Sequence, residues 1–306
     1  MKRSLIVMAA FALGLAVTAC ESDTTKTSDL LYQEDADGTQ YVLDVYAPKG
    51  EGGSWPVVVM VHGAGPPSGL LPRPSEVAER GALVFAPTWT VPSWSTAEAA
   101  RAEATSLVQQ IACAVRFARA EAEVYGGDPA NVSLFGHSAG AEISWMVAFS
   151  DPGVGEGCTA DSGSAVPDNL VLFEGNPLIC GDTSRDGLLQ EDPGIMDAFT
   201  PWSYLGEAPR IPVHILDSDG QEFDRTTNGD EWLALRDPSG ELTRGLEQLG
   251  AFDDGVVSMR ESQRLLYERL KSLGYEVEFL DLPDSSHNHL SDAAVQVAVD
   301  AILQRS

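Results

Sequence analysis

Two hydrophobic periods alternate along the chain. Tyr41-Val-Leu-Asp-Val-Tyr46 switches between apolar and polar positions, as a strand with one wet face does. Val57-Val-Val-Met-Val61 is apolar throughout, which predicts a strand buried on both faces of a parallel sheet. Shorter apolar runs at Leu83-Val-Phe-Ala86, 132–135, Leu170-Val-Leu-Phe173, Pro212-Val-His-Ile-Leu216 and 276–282 predict further strands. Between them the period lengthens to that of a helix. Residues 96–125 predict a long helix ending at Gly126-Gly127-Asp128-Pro129, and 141–149 a second. Residues 257–273 predict a third, with Met259, Leu266, Leu270 and Leu273 on one face and Gly274 as its stop. Ser291 caps a closing helix over 293–303. Strands alternating with helices predict an α/β fold, a mostly parallel central sheet with helices on both faces.

Two stretches break the rhythm. Residues 151–210 are dominated by Gly, Pro, Asp and Ser, apart from the apolar run at 170–173. Within them 176–210, which includes Phe199, Trp202 and Tyr204, predicts a cap segment laid over the domain. Residues 220–251 predict a second insertion, because polar stretches of this length are uncommon without a role. No internal repeat is visible.

Composition narrows the partners. The chain has 306 residues, 43% of them hydrophobic, enough for a sizeable core. Its 46 acidic and 19 basic residues give a net charge of −27, which repels nucleic acid and anionic lipid surfaces. Lys2 and Arg3 precede an apolar run from Leu5 to Val17, too short for a stable membrane span and read as part of a signal peptide over 1–19. The sequence Val17-Thr18-Ala19-Cys20 resembles a bacterial lipobox. That resemblance implies cleavage before Cys20, a lipid on its thiol, and an envelope protein anchored to a membrane outside the cytoplasm. Residues 20–40 then form the lipidated cysteine and a tether, and 41–306 the folded domain.

Export permits disulfides. With Cys20 acylated, Cys113, Cys158 and Cys180 remain, giving one bridge and three possible pairings. Val108, Ile111, Val115 and Ala118 make the core-facing stripe of the long helix, and Cys113 lies off it, available to a loop. Cys113–Cys158 is the preferred pairing; three free thiols are the alternative. No histidine stands at ligand spacing from a cysteine, so no metal is expected.

The chemistry concentrates in Gly136-His137-Ser138-Ala139-Gly140, a G-x-S-x-G motif between an apolar run and a helical segment. Glycine tolerates close backbone approach and positive φ, so the motif suits a sharp strand-to-helix turn with Ser138 at its tip. The alternative is a glycine turn with an incidental serine. Two further stretches accompany the motif: His62-Gly63-Ala64-Gly65 after a strand, and a histidine-bearing loop, Pro283-Asp-Ser-Ser-His-Asn-His-Leu290, after the last strand.

Together these three stretches resemble the α/β-hydrolase superfamily, on the branch of bacterial carboxylesterases and lipase-like enzymes, over about Tyr41 to Leu303. The resemblance implies a triad in the order serine, acid, histidine. Ser138 takes the place of the nucleophile. His287 matches the family's strand-Pro-x-x-x-His spacing better than His289, and takes that of the base. For the acid, the segment Asp254-Gly-Val-Val-Ser-Met-Arg-Glu-Ser262 is preferred, with Asp219, directly after a strand, as its rival. The oxyanion hole is implied at the N–H groups of Ala139, Ala64 and Gly65, with His62 bracing the loop. His137 is expected to point away from the nucleophile. Relatives with His-Gly-Gly-Gly carry Asp-Tyr-Arg after the next strand, where this chain reads Ala86-Pro-Thr-Trp89.

The expected activity is cleavage of a carboxylic ester through an acyl-enzyme on Ser138, without a cofactor. Amide cleavage by the same residues, and a non-catalytic binding protein on the same fold, are the alternatives. Trp89, Trp94, Trp145 and Trp202 are candidates for an acyl pocket or for ordinary core. The sequence leaves the oligomeric state open.

Overall fold

Continuous apolar runs sit at the centre of the sheet, and alternating ones at its edge. A computed structural model describes residues 24–50, 53–89, 96–160, 162–175, 177, 201–202, 204–218, 222–223 and 257–305. The strands are β1 (Thr24–Glu34), β2 (Gln40–Pro48), β3 (Trp55–Val61), β4 (Leu83–Pro87), β5 (Gly127–His137), β6 (Asn169–Phe173), β7 (Val213–Ser218), β8 (Glu222–Phe223), β9 (Val257–Ser258) and β10 (Val277–Leu282). The helices are α1 (Pro74–Glu79), α2 (Ala97–Glu121), α3 (Ala139–Ser150), α4 (Met259–Ser272) and α5 (Asp292–Ile302).

Among the described residues, eight strands form one sheet in the order β1-β2-β4-β3-β5-β6-β7-β10. From β4 to β10 neighbouring strands run parallel; β1 and β2 add an antiparallel margin. A short antiparallel pair, β8–β9, stands apart.

The pleat of β3 feeds two cores. Val57, Val59 and Val61 join a cluster with residues of α2, α3 and α4, while Val58 and Met60 join one with α1 and α5. Alternate side chains of a strand point to opposite faces, so a run without polar residues serves both layers. Two buried polar side chains fix the closing helix to the sheet. Ser133 Oγ donates to the Ile302 carbonyl at 2.8 Å, and Asn169 Nδ2 to that of Ala301 at 3.0 Å. Ser291 caps α5 as expected, accepting the Ala294 N–H at 3.1 Å.

The structure corrects two boundaries. Residues 24–34, expected in the tether, form edge strand β1. The threonine-rich start favours extended backbone, and Tyr32, fully buried, pins the strand to the core. The third helix begins at Met259, since 257 and 258 pair with 222 and 223 as β9. Most of the expected cap at 176–210 and insertion at 220–251 lies outside the described residues, as do Cys20, Cys180 and Trp94.

Cys113 and Cys158 form a disulfide with Cα atoms 5.7 Å apart. The reason differs from the one expected. Cys113 is not on a bare helix face; it is fully buried, because β1 crosses that side of α2 and Cys158 bridges to Gln33 of β1. No described helix is long and apolar enough to cross a membrane.

Candidate active site

Parallel strands deliver their C-terminal ends to one edge of the sheet, and Ser138, the loop that begins at His62 and the His287 loop meet there. β5 runs into α3 through Ser138, whose backbone is held at φ 55° and ψ −126°. Such a conformation is costly for a side chain other than glycine and persists only where the surroundings enforce it. Here the Ser138 N–H donates to the Phe173 carbonyl of β6 at 2.8 Å. The two motif glycines make the turn possible. A Cβ on Gly136 would lie 2.5 Å from the Ala141 Cα, and one on Gly140 would collide with the carbonyl oxygens of Val61 and His62. Ala139 opens α3, so its N–H is among the first-turn donors that have no partner within a helix.

The loop after β3 packs against this turn. A Cβ on Gly63 would stand 3.1 Å from the Ser138 Cβ and 3.6 Å from its Oγ. His62 braces the loop, as expected. Its Nδ1–H donates to the Gly63 carbonyl at 2.8 Å, the Trp89 N–H approaches its Nε2 at 3.4 Å, and the Trp89 indole N–H donates to its carbonyl at 3.0 Å. Burial pushes the His62 pKa below the usual imidazole range. Ala64 and Gly65 follow on the exposed part of the loop.

The base candidate arrives from the far end of the chain. His287 Nδ1 lies 2.5 Å from Glu174 Oε2. A carboxylate accepts, so Nδ1 carries the proton and Nε2 is left free to take one. Glu174 directly follows β6 and is 1% exposed. Its other oxygen accepts from the Ser218 N–H at 3.0 Å and from the Ser218 hydroxyl. A buried carboxylate needs such donors, and the ends of β7 and the His287 loop supply them.

The contact expected from Asp254 or Asp219 is thus made by Glu174. Both aspartates lie outside the described residues. Glu174 escapes a reading that seeks the acid only after the penultimate strand. The signal is present in the sequence: an acid and a glycine end an apolar strand, where a parallel sheet presents its site residues. His289 pairs with Ser286 through backbone alone, closing the turn that carries His287.

The His137 side chain faces the His287 loop and Phe173. Its Nε2–H donates to the His287 carbonyl at 3.0 Å, and its ring stacks on Phe173 at 4.8 Å. Burial, reinforced by the nearby His287, lowers its pKa to about 4.

A cavity of about 440 Å³ lies between β2, the end of β4 and α2, lined by Tyr41, Thr88, Trp89, Glu103 and Gln110 among others. Of the tryptophans read as pocket or core, Trp89 lines this cavity, whereas Trp145 is fully buried core. Among the described residues no group of three or more His, Cys, Asp or Glu side chains could hold a metal.

Comparison with known proteins agrees with this architecture. The BD-FAE family profile matches residues 43–160, which span β2 to the loop after α3. No curated protein matches the chain. Among solved structures, an esterase of the planctomycete Thermogutta terrifontis, with butyrate bound, superposes with a TM-score of 0.60 at 16% identity, covering 89% of this chain and 91% of that one. The same esterase 2, phosphoramylated by tabun, gives 0.57 at 19% identity over 90% and 91%. A bifunctional GH43-CE protein of Bacteroides eggerthii gives 0.65 at 16% identity, covering 94% of this chain but 38% of that longer one. The chain has the α/β-hydrolase fold.

Proposed function

We propose that this α/β-hydrolase cleaves carboxylic esters through an acyl-enzyme on Ser138. The observation that carries the reading is a strained serine at the strand-to-helix turn, with a histidine–carboxylate pair, His287 and Glu174, held at the same sheet edge. That a superposable protein, Thermogutta terrifontis esterase 2, is an esterase supports it.

In this reading Ser138 Oγ attacks the ester carbonyl carbon while His287 Nε2 takes its proton. Glu174 keeps Nδ1 protonated and steadies the imidazolium, the role expected of Asp254 or Asp219. The N–H of Ala139, with those of Ala64 and Gly65, receives the developing oxyanion. His287 then protonates the leaving alcohol, and water, activated by the same imidazole, releases the acid.

The test is turnover of p-nitrophenyl butyrate. The native protein should hydrolyse it, and Ser138→Ala should reduce kcat by several orders of magnitude with the melting temperature kept. Activity equal to the native protein's in that variant would end the proposal.

We place the enzyme in the cell envelope, anchored through lipid on Cys20. The Cys113–Cys158 bond is in keeping with an oxidising compartment. In the producing cell, labelled fatty acid should enter the native chain and not Cys20→Ala; equal labelling would contradict the anchor.

A further inference from the structure

We propose that His137 is a positioning residue that sets the register between the nucleophile and the base by holding the backbone of His287. The inference rests on the serine-hydrolase reading and adds to it a residue outside the triad.

Three contacts meet at this one ring. His137 is the residue before Ser138, so its Cα is fixed to the strained turn. Its Nε2 lies 3.0 Å from the His287 carbonyl, and because a carbonyl only accepts, Nε2 carries the proton. Its plane stacks on Phe173 with centroids 4.8 Å apart and 16° between planes. Phe173 in turn accepts the Ser138 N–H through its carbonyl and immediately precedes Glu174. One side chain therefore touches the strand that carries the acid and the loop that carries the base, and is joined covalently to the nucleophile.

The arrangement does more than fill space. The His287 ring lies 5.0 Å from that of His137, tilted by 51°, so the two imidazoles are neighbours without stacking. His137 is 4% exposed, and its Nδ1 is buried without a hydrogen-bond partner among the described residues. A phenylalanine would fill the same volume without that unsatisfied atom. The histidine thus carries a polar cost that a purely packing role does not need. What it gains is an N–H that reaches the His287 carbonyl. The His287 loop is closed by the Ser286–His289 backbone pair and its imidazole is held by Glu174 after β6, and the His137 donor adds a tie from the loop's backbone to β5. Catalytic geometry tolerates little drift, and a displacement of about 1 Å can cost about 10²-fold in rate.

The experiment compares His137→Gln, whose amide nitrogen reaches near the imidazole Nε2, with His137→Asn, whose amide stops near Nδ1, and His137→Phe, which keeps the ring and loses the donor. Turnover of p-nitrophenyl butyrate and melting temperature are measured for each. The Phe and Asn variants should lose about 10- to 100-fold in kcat, with KM within about threefold. The Gln variant should recover to within about fivefold of the native kcat. Equal losses in all three variants, a full kcat in Phe, or a loss confined to KM would overturn the proposal. Should Phe fail to fold, the contrast between Gln and Asn decides it alone. A native protein without turnover would instead remove the hydrolase reading on which the inference stands.

Discussion

At the scale of single residues, the partners of the buried polar atoms define the site. Glu174 is the sharpest case. Ser218 holds one carboxylate oxygen and His287 the other. In Glu174→Gln the amide nitrogen would face Nδ1 or the Ser218 N–H, leaving donor against donor. The expected loss in kcat is about 10²- to 10⁴-fold, by analogy with the loss of the orienting acid in other triads. Asp254→Asn and Asp219→Asn should each stay within about fivefold of native. Steady-state kinetics on the three variants decides which carboxylate serves. Ser138 and His287 are legible in the sequence because motif and spacing mark them. Glu174 is not, since its partners come from β7 and from a loop more than a hundred residues on, and only folding joins them. His137 is hard to read for a related reason. Its partner, the His287 carbonyl, lies 150 residues on, and only folding brings the two together.

Elements carry the next scale. The strand and helix runs are readable because apolar periodicity reports burial directly. β1 escapes because an edge strand buries little and its threonines and charges look like linker. Its Lys26–Asp44 ion pair, at 2.7 Å, is a surface contact that sequence does not announce. The elbow depends on close backbone approach between β3 and α3. Gly140→Ala should therefore force the Val61–His62 backbone aside, destabilise the fold by about 1–3 kcal/mol and reduce esterase activity. Chemical denaturation and an activity assay check this together.

Arg260 ties α4 to the sheet, reaching Asp217 of β7 at 2.5 Å and Asp281 of β10 at 2.6 Å. Burial raises the Asp217 carboxyl to about 6, against the pull of Arg260. A raised folded-state pKa means that folding favours the protonated acid. Its contribution to stability is full below the unfolded value of about 4 and is lost as pH rises through about 6. The native protein should lose about 3 kcal/mol across that window relative to Asp217→Asn. Equal pH slopes for the two proteins in urea unfolding would contradict this account.

The whole molecule combines a strong negative charge with one covalent cross-link among the described residues. At a net charge of −27, self-repulsion opposes the compact state, and salt screens it. Raising sodium chloride from about 0.05 to about 0.5 M should raise the melting temperature; a flat response would mean the charges are already balanced locally. The disulfide joins positions 45 apart in sequence, and loop closure of that length corresponds to about 4 kcal/mol in the chain-entropy account. Cys113→Ala with Cys158→Ala should lose about 2–4 kcal/mol of unfolding free energy while kcat holds, since the bridge lies at α2 and β1, away from Ser138.

The claim beneath all of this is that Ser138 is an activated nucleophile. Its most direct test is covalent: the protein is treated with a fluorophosphonate, digested, and the adduct located by mass spectrometry. The account predicts one adduct, on the Ser138 peptide, with labelling strongly slowed in His287→Ala and Glu174→Gln. An adduct on another residue, or Ser138 labelling at an unchanged rate in those variants, would contradict it.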